Sequence, residues 1–449
     1  MESQSMGNSC PVMYRVKQRF DTAAITDVPT AIRKEFLRLD LKRRVKPGQR
    51  VGVTVGSRGI DGLTDIVATV VDCLRDLELK PFIFPAMGSH GRATSDGQAE
   101  MLRGLGISEA TVKAPIISSM DAALLDNLDS GARVHFSKDA MAADHVVVVN
   151  RVKPHTAFHS DVESGLCKML AVGCGKHEGA VNMHKFGLAE SIVPAAEMIL
   201  RQAPVLCGLA LLENSLDKIQ TVCLAPPEEF VATDRKLLIH ARRLLPRIPF
   251  EDLDILIVDE MGKDISGAGM DTNVIGFWRR DGGECTPDYR TLIVLDITKA
   301  SHGNALGIGM ADLTTRRVVD KIDFKATYTN ALTTGLWTSV RTPITLENDK
   351  VVVEAALSKI SSPDRVRMAR IRNTLMLEDF WVTEALLTEL DAHKGIIIDE
   401  TPVQLEFDKK GRIMPGPGSA DNNLGARPEI KFGQDREENY DEPFRSNSY

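Results

Sequence analysis

Aromatic side chains are scarce, since Phe, Tyr and Trp make up only 5% of the 449 residues. Proteins that hold single-stranded nucleic acid stack bases on such rings, so that role is disfavoured. A basic surplus is missing too. There are 55 Lys and Arg against 62 Asp and Glu, a formal net charge of -7. Without excess cation, nothing replaces the counterions around a nucleic acid. No apolar run approaches the roughly 18 residues of a membrane span. Residues 1–21 are polar and hold no apolar core of a secretion signal. A cytoplasmic protein with no nucleic-acid or membrane partner is expected. The seven cysteines are scattered and form no Cys-x-x-Cys pair, which argues against a disulfide framework or a structural zinc site. After the first β-branched run the chain reads Gly56-Ser57-Arg58-Gly59-Ile60-Asp61-Gly62. That lacks the glycine spacing of a dinucleotide site.

What is present is the pattern of an α/β protein. Apolar content of 43% and charged content of 26% are those of a globular chain. The length favours two domains. After an irregular lead-in, a helix is expected near Pro29 to Leu41. Short β-branched or apolar runs then alternate with helical periodicity: strands at Arg50 to Gly56, Pro81 to Pro85 and His145 to Val149, helices at Gly62 to Leu77 and Ala93 to Arg103, the last capped by Ser95. Such alternation predicts a mainly parallel, doubly wound sheet. A helix over Leu188 to Gln202, strands over Val205 to Leu212 and Ile219 to Leu224, and a long helix over Pro226 to Leu245 complete the first domain, residues 1–247. A second α/β domain, residues 248–414, begins with strands at Asp254 to Val258 and Thr291 to Ile297. Helices are expected there at Thr327 to Thr334, Pro363 to Leu375 and Thr383 to Leu390. The Pro/Gly/Asn-rich and then charged stretch 415–449 reads as a mobile tail.

In open parallel sheets, ligands sit beyond the carboxyl ends of the strands. Those positions hold Ser57-Arg58-Gly59, Gly88-Ser89-His90-Gly91, Lys153-Pro154-His155 and Gly262-Lys263. An arginine, two histidines and a lysine on one edge suggest an anionic substrate and acid/base chemistry. Arg58 can grip a carboxylate with two parallel hydrogen bonds. His90 and His155 have ordinary pKa values near neutrality. The segment from His155 to His184 also holds His159, His177, Lys168, Cys167 and Cys174. His and Cys are ligands for nickel, zinc or copper, but the spacing matches no closed zinc motif.

Four motifs carry a resemblance: Gly-Ser-His-Gly at 88–91, Lys-Pro-His at 153–155, Ser-Gly-Leu-Cys-Lys at 164–168 and Asn-Met-His at 182–184. The chain resembles the lactate racemases that use a nickel-pincer nucleotide, most clearly over residues 45–190. The resemblance implies an isomerase that racemises or epimerises a small 2-hydroxy acid. It implies that His90 and His155 are the acid/base pair and that Arg58 orients the substrate. Lys168 matches the lysine that tethers the cofactor, the nickel complex of pyridinium-3,5-bisthiocarboxylic acid mononucleotide. His184 matches the protein ligand of the nickel. The further substrate lysine of the family falls to Lys263, with Lys299 as a rival. Backbone N–H groups near Gly88 and Gly173 are candidates for holding the cofactor phosphate. Proteins that build the cofactor are implied as partners.

The chemistry asks for these groups. Direct abstraction of the α-hydrogen of a 2-hydroxy acid would leave a dianion. Taking the hydroxyl proton while a hydride leaves is easier, and it needs an acceptor that no side chain supplies. The departures are Gly91 before Arg92, a longer loop between His155 and Lys168, and Ser-Gly-Leu-Cys before the lysine. They favour a longer or acidic hydroxy acid, or a sugar acid, over lactate. A non-catalytic carrier of nickel or cofactor is the competing expectation, but it would not need Arg58, His90 and His155 together.

Overall fold

The computed structural model describes residues 10–415. The expected tail at 415–449 lies outside them, apart from Pro415. The chain is α/β, with a five-stranded and a nine-stranded sheet and a small hairpin of Ala122–Asn127 with Arg133–Ser137. No helix among the described residues is long and apolar enough to cross a membrane.

The first sheet is built on Arg50–Val55, in which every residue after Arg50 is buried. A strand covered on both faces needs such an unbroken apolar run. It pairs in parallel with Lys80–Pro85 on one side and His145–Arg151 on the other. Val205–Glu213 follows in parallel, and Ile219–Ala225 closes the edge as an antiparallel hairpin. The chain therefore steps outward from Arg50–Val55 and then returns across it. The switch in winding direction lies between Arg50–Val55 and His145–Arg151, which opens a crevice at their carboxyl ends. Helix Leu63–Asp76 covers the sheet with Leu63, Ile66, Val67, Val70, Val71 and Leu74, all buried, as its apolar spacing requires.

The second sheet has the order Ile344–Leu346, Leu313–Thr315, Asp288–Val294, Asp252–Val258, Met368–Ile371, Asp379–Thr383, Val12–Gln18 and Ile396–Ile398, with Val403–Gln404 beside Val12–Gln18. Its first five strands are parallel. Its own switch lies between Asp252–Val258 and Met368–Ile371, so Lys263 leaves this sheet where a ligand edge is expected.

Three expectations are corrected. The lead-in is not irregular: Val12–Gln18 is a strand, and it pairs with Asp379–Thr383 in the second sheet. The division at 247/248 therefore assigns this strand to the wrong half, and the chain crosses between the halves twice. The two crossings touch, since the Gln18 side chain donates to the Arg247 carbonyl at 3.0 Å. Pro363 to Leu375 is no helix. It holds a short turn and the strand Met368–Ile371, whose four residues are all buried, because pairing with Asp252–Val258 outweighs local periodicity. The helix Ser95–Gly104 is capped by Thr94, whose hydroxyl accepts from Gly97 N–H at 3.1 Å.

Candidate active site

The two ligand edges face each other. From the second half, the Thr272 hydroxyl donates to the Thr156 carbonyl at 2.9 Å, and the Asn273 amide donates to the His155 carbonyl at 3.2 Å. Gly267 lies against Arg58, with a built Cβ only 3.7 Å from its Nη2. Arg58, His90, His155, Lys168, His184 and Lys263 come together in the cleft between the edges. His90 feels Arg58, Lys168, His184 and Lys263, and His155 feels Lys168, Arg280, His184 and Arg58.

His90 follows strand Lys80–Pro85 on a loop held from behind by Gln98, whose buried amide donates to the carbonyls of Gly88 at 2.9 Å and His90 at 3.2 Å. Gly91 has φ +66, and a Cβ there would sit 2.7 Å from Gln98 N and Gly97 C. Only glycine fits the turn that aims His90. The His90 Nδ1 lies 2.5 Å from the Ser57 hydroxyl, which leaves Nε2 for the cleft.

His155 is fixed by Glu163, a carboxylate with no exposed surface. Glu163 accepts from His155 N–H at 2.7 Å, from Ser160 N–H at 3.0 Å and from Arg242 at 2.7 Å, and its Oε1 is 3.1 Å from His159 Nδ1. The imidazole of His155 accepts at Nδ1 from Ala157 N–H at 3.0 Å. The neutral ring must then carry its proton on Nε2. His155 is thus set as a hydrogen-bond donor, whereas His90 has a free choice of tautomer through the Ser57 hydroxyl.

Lys168 ends the short helix Gly165–Lys168 and leads into the wide π-turn Met169–Gly173. The Asp234 carboxylate accepts from Leu166 N–H at 3.0 Å and Cys167 N–H at 2.8 Å, occupying the positive end of that helix. Burial raises Asp234 to about 6. The Lys168 amine lies 5.5 Å from the centre of the Phe158 ring. His184 is on helix Lys176–Lys185, which is moored where it starts: the buried Lys176 donates to the Pro85 carbonyl at 2.6 Å. The strand that leads to His90 thereby also positions His184.

Electrostatics follow from crowding. Burial first, then Arg58, pushes Lys168 down to about 7, while Glu163 opposes. Burial and the cations lower His90 to about 4 and His155 to about 2. Burial and Lys168 lower His184. Burial, Arg58 and Arg280 lower Lys263 to about 8. Arg58, His90 and His184 are exposed to solvent at the cleft, yet protein crowds their other sides and disfavours their charged forms. Lys263 donates to the Gly267 carbonyl at 2.8 Å and to Asn330 Oδ1 at 3.1 Å.

The expected phosphate cradle is corrected. Gly88 N–H donates to the Gly173 carbonyl at 3.1 Å. A Cβ on Gly88 would meet Ala180 at 3.1 Å, and one on Gly173 would meet the Ala86 carbonyl at 2.6 Å. Both residues are buried, and they let the π-turn press on the His90 loop rather than face a ligand. Cys167 and Cys174 are fully buried, with burial raising both thiols, and serve as small packing groups. Lys299 is exposed on its turn. Sequence reasoning missed Glu163, Asp234 and Arg280. The contacts that place them at the site, Glu163 with His155, Asp234 with Leu166 and Cys167, and Arg280 with Thr156, join residues 8 or more apart in the chain.

No family model and no curated protein matches the chain. Among solved structures it is similar to the lactate racemase apoprotein from Thermoanaerobacterium thermosaccharolyticum, with a TM-score of 0.50 and 11% identity over 80% of this chain and 94% of that one. At that identity the likeness speaks for architecture, and the chain has a lactate-racemase-like two-domain α/β fold.

Proposed function

We propose that this chain is an isomerase of the lactate racemase type, which inverts the carbinol carbon of a 2-hydroxy acid with a nickel-pincer nucleotide as cofactor. The observation that carries the reading is the meeting of His90, His155, Arg58, Lys168 and His184 in one cleft, from three strand-end loops and two helices. The fold likeness supports it.

The residues fit the cofactor. Lys168 is an amine held near neutrality, suited to covalent attachment. His184 stands beside it as a lone imidazole. Among the described residues no three His, Cys, Asp or Glu converge on a point. The described residues by themselves offer no complete metal site, so a nickel ion here would need ligands that arrive with an organic group. When bound, that group supplies the hydride acceptor which side chains lack.

The chain's own residues do the rest. Arg58 and Lys263 orient the substrate carboxylate. His90, neutral at physiological pH, takes the hydroxyl proton through Nε2. His155, held as a donor by the Ala157 N–H on its Nδ1, presents Nε2–H to the substrate oxygen and polarises it. Each such group is typically worth about 10²–10⁴-fold. The facing edge of the second half covers one side of the cleft, which limits the access of water to the planar oxo acid.

The test is expression in a cofactor-producing host, followed by intact mass, metal content and enantiomer interconversion by chiral chromatography. Nickel with added mass on the peptide holding Lys168, and interconversion lost in His90→Ala with nickel retained, is the expected result. A His90→Ala protein that interconverts as well as wild type would end this reading, and nickel binding with no turnover on any hydroxy acid would favour a carrier.

A further inference from the structure

Arg280 is not needed for the chemistry above, yet it stands in the same cleft. It lies on the short helix Trp278–Asp281 of the second half. Its Nη1 donates to the Thr156 carbonyl at 2.9 Å, one residue from His155. Its Nε is buried with no hydrogen-bond partner. Among the described residues it forms no ion pair, and the anion that acts on it is the adjoining Asp281. An Arg normally meets a carboxylate or phosphate with two of its five donors, and most of this fork is unused.

Its position relative to Arg58 is informative. Among the charges acting on His90, Arg58 is the strongest and Arg280 is not among the leading ones. On His155, Arg280 outweighs Arg58. Arg58 therefore bears more on His90 and Arg280 more on His155, and both act on Lys263. Arg280 also forms the wall of an open pocket with Trp278, Gly309, Trp337 and Arg341. That pocket is lined by Arg279, Arg280 and Arg341 with Asp281 and the two indoles.

In the racemase reading the substrate carboxylate is held by Arg58 and Lys263, which leaves the Arg280 fork for a second anion; Asp281 is the neighbouring charge that acts on it. We propose that Arg280 is a specificity-determining residue that grips a second anionic group, so that the preferred substrate is a 2-hydroxy acid with a distal carboxylate rather than a monoacid such as lactate. This rests on the racemase reading and names its substrate class.

The assay is calorimetric binding to the purified protein, which needs no cofactor. D- and L-malate and D- and L-lactate are titrated into wild type, Arg280→Leu and Arg280→Lys at fixed ionic strength. Wild type is expected to bind malate roughly ten-fold or more tighter than lactate. Arg280→Leu should bring that ratio close to one, and Arg280→Lys, which keeps the charge but not the fork, should fall between. Circular dichroism checks that both variants are folded. Nicotinic acid mononucleotide is a third ligand, because a cofactor phosphate is the other anion Arg280 can meet. Weakened mononucleotide binding in Arg280→Leu with an unmoved malate-to-lactate ratio would overturn the proposal. So would a wild type that binds malate no better than lactate, or binds neither. A clear malate preference in a loaded protein that interconverts nothing would remove the racemase reading while leaving the anion selectivity in place.

Discussion

The neutral amine of Lys168 can be measured directly. Burial and the Arg58 guanidinium hold this lysine to about 7, against about 10.4 for a free side chain. At pH 7 about half of it is then unprotonated, compared with roughly 0.04% of an ordinary lysine. That is about a thousand-fold more reactive form. A less basic amine is also a poorer nucleophile. With a Brønsted slope near 0.5, as for thiols, a drop of about three and a half pK units forfeits a factor of about 50. The net advantage over surface lysines is roughly 20-fold. Competitive trace acetylation from pH 6 to 10, read by peptide mass spectrometry, measures it. The Lys168 rate should reach half its plateau near pH 7, and this midpoint is unaffected by how easily the reagent enters. Two variants fix the sign. Arg58→Leu removes a cation and should raise the midpoint, whereas Glu163→Gln removes the opposing anion and should lower it. A Lys168 midpoint above pH 9, or one that Arg58→Leu leaves in place, refutes the electrostatic account of the cleft.

Three other outcomes follow from the same geometry. In the cofactor-loaded protein, His90 at about 4 stays neutral as pH falls through the ordinary histidine range and loses its basic form only as pH passes about 4. The acid limb of kcat/KM should therefore lie below about pH 5, and a limb at 6.5 contradicts the assigned environment. Gly165→Ala puts a Cβ 2.2 Å from Asp234 Oδ1 at φ +86. The left-handed backbone alone costs about 1–2 kcal/mol, so the thermal midpoint should drop by several degrees, and an unchanged midpoint speaks against the local packing. Arg242→Leu strips one partner from fully buried Glu163. Two backbone donors and His159 remain, so the expected loss is about 1–3 kcal/mol rather than that of an orphaned charge, measured by urea unfolding.

Legibility in the sequence followed the range of the interactions. The central strands of the first sheet and helix Leu188–Gln202 are encoded by local periodicity, and the expected spans agree with the observed ones to within two residues. Strand-end positions such as Arg58, His90, His155 and Lys263 stand out because a parallel sheet sends its loops to one edge. The second sheet was harder to read. Met368–Ile371 looks helical until Asp252–Val258 pairs with it. The glycines misled for a related reason: Gly88 and Gly173 signal close approach, but the sequence does not say whether the approaching group is a ligand or another turn of the same chain. Arg280, on a one-turn helix, and Glu163, on a loop, were invisible because charged residues in short connecting segments are usually solvated, and only the assembled cleft shows which of them protein surrounds.

The strand Val12–Gln18 also has a consequence for how the chain is made. Its Arg15 pairs with Asp379, a separation of 364 residues. At a synthesis rate of about 5–20 residues per second, that strand leaves the ribosome roughly 20–70 s before its partner exists. For that interval its exposed edge must be shielded, by a chaperone or by the nascent first half. Deleting it would strip the neighbour from Asp379–Thr383 in the finished protein and open a fresh edge for self-association.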